Sequence, residues 1–264
     1  MKILCVGDVV GRPGREVLKK YLKTQKKNQN IDIVIANVEN AAGGAGITDK
    51  IAEELFEAGV DVMTSGNHAW DKKKEGEEAF RKYFYLIRPA NYPDYPEDPT
   101  PGKGSVIFKK GDVKIGVLNV QGRLFLESID CPFRSADKLV EELSQETKII
   151  IVDMHAETTS EKQALGWYLD GRVSLVFGTH THVQTADERI LTKGTGYISD
   201  LGMTGPYDSV IGVIKEKAIK RFLIKRKVQY DTAENDAKMC GVIVEIDNKT
   251  GRTQSIQRIQ WQEN

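Results

Sequence analysis

Short apolar runs, many of them β-branched, recur along most of the chain, usually with a polar loop and then a stretch of helical period behind them. Residues 3–6 form the first run, closed by Gly7 and Asp8. The stretch 16–27 then sets Val17, Leu18, Tyr21 and Leu22 on one helical face. Residues 31–38, 60–63, 149–152 and 173–177 repeat the apolar pattern, while 51–56, 71–85, 136–143 and 158–169 read as helices. Uninterrupted apolar runs suit parallel strands covered on both faces. Residues 105–108 and 113–120 flank Lys110, Gly111 and Asp112 as a hairpin, and the prolines at 89, 93, 96, 99 and 101 predict an irregular surface loop. The last third turns antiparallel, with 242–246 and 255–259 joined through a turn over 247–251. Two helix starts carry local signatures: Asp71 as a cap, and Thr158 with Glu161 as a capping box. With no internal repeat and no long linker, the pattern predicts one α/β domain over residues 1–264, a sandwich of mixed sheets flanked by helices.

Polar residues collect where the apolar runs stop. Asp8, Glu39, Asn40, Asn67, His68, His155, His180 and His182 all stand at or just past a predicted strand end, and they include all four histidines of the chain. In open α/β sheets ligands bind outside the carboxyl ends of the strands, so five strand ends deliver these side chains toward one edge. Singly, each has a bland reading: an aspartate after a strand can cap a helix, and a lone histidine can be a hydrogen-bonded structural residue. Jointly they read as a metal site. If the backbone of His180-Thr181-His182 stays extended, its alternation puts both rings on one side. Imidazole, carboxylate and amide oxygen without cysteine suit manganese, iron, zinc or cobalt. The candidates exceed what one tetrahedral ion can use, and two ions bridged by a carboxylate would employ them, a recurring device for displacement at phosphorus.

Composition removes several classes. Lys and Arg number 38, as do Asp and Glu, so the formal net charge is zero, which argues against nucleic-acid binding. No apolar stretch reaches the roughly 18 residues needed to span a bilayer, and the opening run is too short for a signal peptide. The three widely spaced cysteines, Cys5, Cys131 and Cys240, offer neither a disulfide framework nor a Cys-x-x-Cys zinc site. A cytoplasmic protein without membrane contact is expected, and a homo-oligomer is left open.

The strings Gly7-Asp8, Gly66-Asn67-His68 and 178–182 (GTHTH) resemble those of calcineurin-like metallophosphoesterases. NVENAAGGAGIT (37–48), SGNHAWD (65–71), RPANYP (88–93), VDMHAETTSEK (152–162), GTHTHVQTADERIL (178–191) and YISDLGMTGPYDSVIG (197–212) resemble the YmdB family more specifically. These motifs cover nearly the whole chain. The resemblance implies a metallophosphoesterase sandwich acting on 2′,3′-cyclic nucleotides and opening the 2′ bond to give 3′-nucleotides. The usual Asp-x-His first motif has Val10 in its third place here, and in this subgroup the Glu39-Asn40 pair makes good the missing histidine. The resemblance further implies one metal on Asp8, Glu39, Asn40 and His182, and a second on Glu39, Asn67, His155 and His180, with Glu39 bridging. A metal-activated hydroxide would attack phosphorus, and His68 is left as the proton donor to the departing ribose oxygen.

Other features carry less. The loop 43–46 lacks the Lys-Ser/Thr of a P-loop and is expected to shape the metal rim. Residues 215–227 hold seven Lys or Arg and one Glu, a charge run that reads first as a solvated face, with RNA contact as the lesser alternative. Trp70 could stack on a base or pack in the core, and Cys5 reads as inert core. Asn91 and Thr181 are candidate phosphate contacts. The same bimetal centre would also serve a phosphomonoester, a phosphoprotein or a nucleic-acid end, and a regulatory protein with little turnover is a third reading. The presence of His68 argues against that last one, because a purely structural site needs no proton donor.

Overall fold

The computed structural model of the chain describes residues 1–262. The elements in order are β1 (Lys2–Val6), β2 (Asp8–Val9), α1 (Gly11–Gln25), β3 (Ile33–Asn37), α2 (Asp49–Glu57), β4 (Val62–Thr64) and α3 (Lys73–Lys82). The hairpin β5 (Ser105–Lys110) and β6 (Val113–Gln121) follows, then α4 (Pro132–Ser144), β7 (Ile150–His155), α5 (Thr159–Leu169) and β8 (Leu175–Thr179). The chain ends with β9 (Arg189–Ile190), β10 (Gly196–Ile198), β11 (Met203–Pro206), α6 (Lys215–Ile224), β12 (Ala237–Ile246) and β13 (Thr253–Trp261). Two mixed sheets result. One runs β2-β11-β12-β1-β3-β4 with β13 paired to β12, and the other runs β5-β6-β7-β8-β10-β9.

Alternation along each strand explains the layering. On β1 and β3, Ile3, Cys5, Ile33 and Ile35 enter a core shared with Val117, Ile151, Leu175 and Phe177 of the other sheet. Leu4, Val6, Val34 and Ala36 point the other way, into a cluster with Val17, Leu18, Tyr21 and Leu22 of α1. On β7, Ile150, Val152 and Met154 meet Ala136 and Val140 of α4 and Leu165 of α5. The result is helices, sheet, sheet, helices. Asp153 has the parity of Ile151, so the two-residue period sends a carboxylate into the space between the sheets.

Three local expectations are corrected. α1 begins at Gly11 instead of residue 16, although Gly11, Pro13 and Gly14 read as loop residues. Proline is harmless in a first turn because those N–H groups lack helical partners. Gly14 is required for closeness, since a Cβ there would lie 2.3 Å from the Thr204 carbonyl oxygen of β11. Asp71 does not cap α3, whose first turn follows Lys72 with no side-chain cap. Nor do Thr158 and Glu161 form a capping box. The Thr158 side chain makes no cap bond, and Glu161 instead accepts from the backbone N–H groups of Arg123 and Leu124 at 3.0 and 3.4 Å. Asp71 and Glu161 each found a stronger use than an exposed helix end. Among the described residues no helix is long and apolar enough to cross a membrane.

Candidate metal centre and active site

The strand ends converge as the pattern of polar residues suggests. Asp8 opens β2 directly after β1, Glu39 and Asn40 follow β3, Asn67 and His68 follow β4, His155 ends β7, and His180 and His182 follow β8. His155 Nε2 is the hub of one group. It lies 2.9 Å from Asn67 Oδ1, 3.1 Å from His180 Nδ1 and 3.2 Å from Glu39 Oε1. Neighbouring ligands held at about 2.1 Å from one octahedral ion stand about 3.0 Å apart, so this spacing suits donors to a shared cation. Glu39, His155 and His180 form a group able to hold a metal ion, with all donor atoms within 4.8 Å of one another. A second group forms around His182, whose Nε2 is 3.3 Å from Asn40 Oδ1 and 3.9 Å from Asp8 Oδ1. The other oxygen of Glu39 accepts the His68 backbone N–H at 3.1 Å.

Electrostatics favour a cation here. Asp8, Glu39 and Asp153 are buried to 1 % exposure or less, and the cationic partners they meet among the described residues are histidines, while Asp8 also faces the carboxylates of Asp200 and Glu39. Burial pushes the Asp8 carboxyl up, against the pull of His182 and His155. At Glu39 burial also acts upward, but the His155 charge beside it overcomes this and holds the carboxyl down at about 2. Burial works to lower the His155 imidazole, yet Glu39 and then Asp8 raise it to about 9. Burial, with the His155 charge, pushes His180 down to about 3. The proton that His155 holds beside the Glu39 carboxylate thus stands where a metal charge would satisfy the same carboxylate.

Backbone detail decides how the last two histidines arrive. The stretch 180–182 is not extended: His180 and His182 both take positive φ, +98° and +64°. Such values are uncommon outside glycine and recur at functional sites. The two rings therefore reach the centre through a folded turn and not by strand alternation. The turn is anchored, with the His180 N–H donating to the Asp8 carboxylate at 3.2 Å and His182 Nδ1 meeting the Ile211 carbonyl at 2.8 Å.

A supporting layer escaped the sequence reading. His155 Nδ1 lies 2.9 Å from Thr179 Oγ1, which donates to Asp153 Oδ1 at 2.7 Å. Asp153 also accepts from Thr64 and from the Asn37 amide. This chain keeps the His155 Nδ1 proton engaged and turns the Nε2 lone pair to the site, the usual service of an outer partner to a histidine ligand. Lys162 and Asp200, both about 1 % exposed, form a buried pair at 2.6 Å, and Asp200 accepts the Thr181 N–H and hydroxyl at 3.2 and 2.8 Å. That pair holds the turn between His180 and His182. Asp153 alone had a readable signal, the parity of β7.

A cavity of about 650 Å³ opens on this centre, lined by Glu39, Asn40, His68, His180 and His182 among others. The glycine loop contributes Gly43, Gly44 and Ala45 to its rim, as expected. His68 Nδ1 is 2.8 Å from Asp71 Oδ2, which is where the supposed helix cap went. Two candidate phosphate contacts fare differently. Thr181 lines the cavity, with its hydroxyl committed to Asp200. Asn91 is buried, donates to the carbonyls of Gln121 and Asp130 at 2.7 and 2.9 Å, and accepts the Gln121 N–H at 2.8 Å. Its amide ties the proline-rich loop to β6 and has no donor left for a phosphate. Trp70 is half-buried and packs against Phe80 and Tyr92 at 5.3 and 5.5 Å, at the edge of the core.

Residues 4–259 match the family described as YmdB-like protein. The 2′,3′-cyclic-nucleotide 2′-phosphodiesterase of Bacillus subtilis (strain 168) is 49 % identical over 259 residues, 98 % of this chain and 96 % of that protein. The crystal structure of a phosphatase from Mycoplasma pneumoniae superposes with a TM-score of 0.92 at 36 % identity, covering 99 % of this chain and 93 % of the other. A calcineurin-like phosphoesterase from Bacillus subtilis shares the fold alone, with a TM-score of 0.55 at 9 % identity over 98 % of this chain and 90 % of that one. With two mixed sheets between helices and a family match over nearly its whole length, the chain belongs to the YmdB-like family, phosphoester hydrolases on the calcineurin-like fold.

Proposed function

We propose that this protein hydrolyses 2′,3′-cyclic nucleotides at the 2′ bond to 3′-nucleotides, using two transition-metal ions, iron or manganese first, with zinc or cobalt as the further candidates. The observation that carries the reading is the convergence of carboxylate, amide and imidazole donors at about 3 Å spacing beside an open cavity. Asp8, Glu39, Asn40 and His182 would hold one ion, and Glu39, Asn67, His155 and His180 the other, with Glu39 shared. Bound there, the ions would supply Lewis acidity at phosphorus and a water nucleophile at neutral pH.

The remaining work belongs to the chain. Asp71 accepts the His68 Nδ1 proton, so the proton delivered to the departing 2′ oxygen sits on Nε2. Thr179 and Asp153 fix the His155 ring, and Asp200 fixes the turn that carries His180 and His182. The activity test is a panel of 2′,3′-cyclic nucleotides, 3′,5′-cyclic nucleotides and phosphomonoesters on metal-defined enzyme. Preference for a monoester would overturn the reading.

Elemental analysis of manganese-reconstituted protein is expected to give close to two ions per chain. Glu39→Gln should lower metal content and activity together, since one residue serves both groups. A wild-type stoichiometry that never exceeds one would refute the paired arrangement.

Gly66→Ala provides a steric version of the same test. A Cβ at residue 66 would lie 2.3 Å from both Glu39 Oε2 and His155 Nε2. Metal retention should fall severely while the far-ultraviolet circular dichroism stays native. Normal loading in the alanine variant would show that the donors do not meet at that point.

A further inference from the structure

The metal-side cavity does not end at its own wall. Arg221 of α6 and Tyr230 line it and also line a second cavity of about 980 Å³ on the other side. The first cavity already has the size that encloses a whole small ligand, so the second is surplus to a mononucleotide. Its chemistry is one-sided. Arg221, Lys225, Arg226 and Lys227 supply four cations, Phe222 and Tyr230 supply two aromatic rings, and no carboxylate lines it.

The charge is also unspent. Lys215 and Lys217, earlier on α6, are neutralised by Asp208 and Asp231. The four cations of the second cavity make no ion pair among the described residues. Two instead lie over aromatic rings, Arg221 5.0 Å from the Tyr230 centroid and Lys225 5.7 Å from that of Phe222. Phe222 is 66 % exposed and Tyr230 40 %. Unpaired cations interleaved with exposed aromatics are the pattern that holds a single-stranded nucleic acid, by its phosphates and by stacking of its bases. Zero net charge over the whole chain conceals this local excess, which is why composition argued against such a ligand.

We infer that the groove between α6 and residues 225–230 binds the strand upstream of the reacting ribose, so that the substrate class includes oligoribonucleotides ending in a 2′,3′-cyclic phosphate. This rests on the proposed reaction and adds its substrate. The terminal cyclic phosphate enters the metal-side cavity, and the strand leaves past Arg221 and Tyr230 through its 5′ oxygen. Hydrolysis adds water across the phosphorus–2′-oxygen bond, and the strand departs with a 3′-phosphate and a free 2′-hydroxyl. Nothing is oxidised or reduced.

A hexaribonucleotide with a 2′,3′-cyclic end should have a kcat/KM at least about tenfold above that of 2′,3′-cyclic AMP, mainly through KM. With three or four phosphate contacts, its affinity should fall about 20- to 50-fold between 50 and 200 mM salt. In the triple variant Lys225→Ser/Arg226→Ser/Lys227→Ser the preference for the hexamer should fall toward one. Equal kcat/KM for hexamer and mononucleotide in the wild type, or an unchanged preference in the variant, overturns the inference. Fluorescence anisotropy with a 3′-phosphorylated hexamer reads the groove apart from the chemistry. Weaker binding by the triple variant supports the groove and unchanged binding overturns it, whereas loss of 2′,3′-cyclic AMP hydrolysis by the wild type would sink the proposed reaction itself. If the variant changes the oligomeric state and keeps its oligonucleotide affinity, the face belongs to a second copy of the chain and the inference fails.

Discussion

His68→Ala is expected to lower kcat/KM for 2′,3′-cyclic AMP by about 10²–10⁴-fold with metal content unchanged, the range that a positioned general acid contributes. Metal should survive because the contact that residue 68 makes with Glu39 is through its backbone N–H, which alanine retains. The loss should depend on the leaving group. A ribose hydroxyl departs poorly without a proton, whereas p-nitrophenolate leaves readily. Bis-p-nitrophenyl phosphate should therefore be affected far less by the substitution. The quantity to measure is the wild-type to variant ratio of kcat/KM for each ester at fixed metal loading. Equal ratios would mean that His68 holds the phosphate of both esters, with the same loss of transition-state stabilisation for each, and donates no proton.

Lys162→Met should destabilise the protein by about 3–5 kcal/mol, because it strands the Asp200 carboxylate in the interior. At about 2–4 °C per kcal/mol for a chain approaching this size, the melting temperature should drop by about 6–20 °C. The damage should also reach the active site. Asp200 accepts from the Thr181 N–H and hydroxyl and from the Gly202 N–H at 2.8 Å, so a displaced carboxylate loosens the turn that presents His180 and His182. Removing both charges with Lys162→Met/Asp200→Leu should recover part of the stability and none of the metal affinity. A melting temperature within about 2 °C of wild type for the single variant would show that the pair is not a buried charge pair in solution.

Much of the candidate site is visible in the primary structure because of one regularity. Strand residues alternate between faces, and a run of buried strands must stop where polar side chains begin, so Asp8, Glu39, Asn40, Asn67, His68, His155, His180 and His182 stand out at the strand ends. Individual roles were less legible. Asp71 and Glu161 matched helix-capping patterns, yet a histidine ring and two loop N–H groups claimed them. Asn91 sits in a family-like motif, yet its amide is consumed by Gln121 and Asp130. Capping is worth about 1 kcal/mol at an exposed helix end, a preference that a buried or charged partner easily overrides.

Hydrophobic period and strand-end chemistry are local properties and can be read from the chain alone: alternating strands and helices, two faces to each strand, and a set of carboxylate, amide and imidazole side chains at the carboxyl ends. Which of these side chains come within reach of one another was left to the tertiary structure. Glu39 follows β3 in one sheet and His155 ends β7 in the other, and their 3.2 Å contact exists only because the two sheets face each other across a shared core. The same holds for His155, Thr179 and Asp153, for Lys162 with Asp200, and for the meeting of Arg221 and Tyr230 beside the metal-side cavity. Positive φ at His180 and His182 completes the arrangement. That conformation is unfavourable by itself and persists because contacts from distant segments, Asp8 and Ile211 among them, hold it in place.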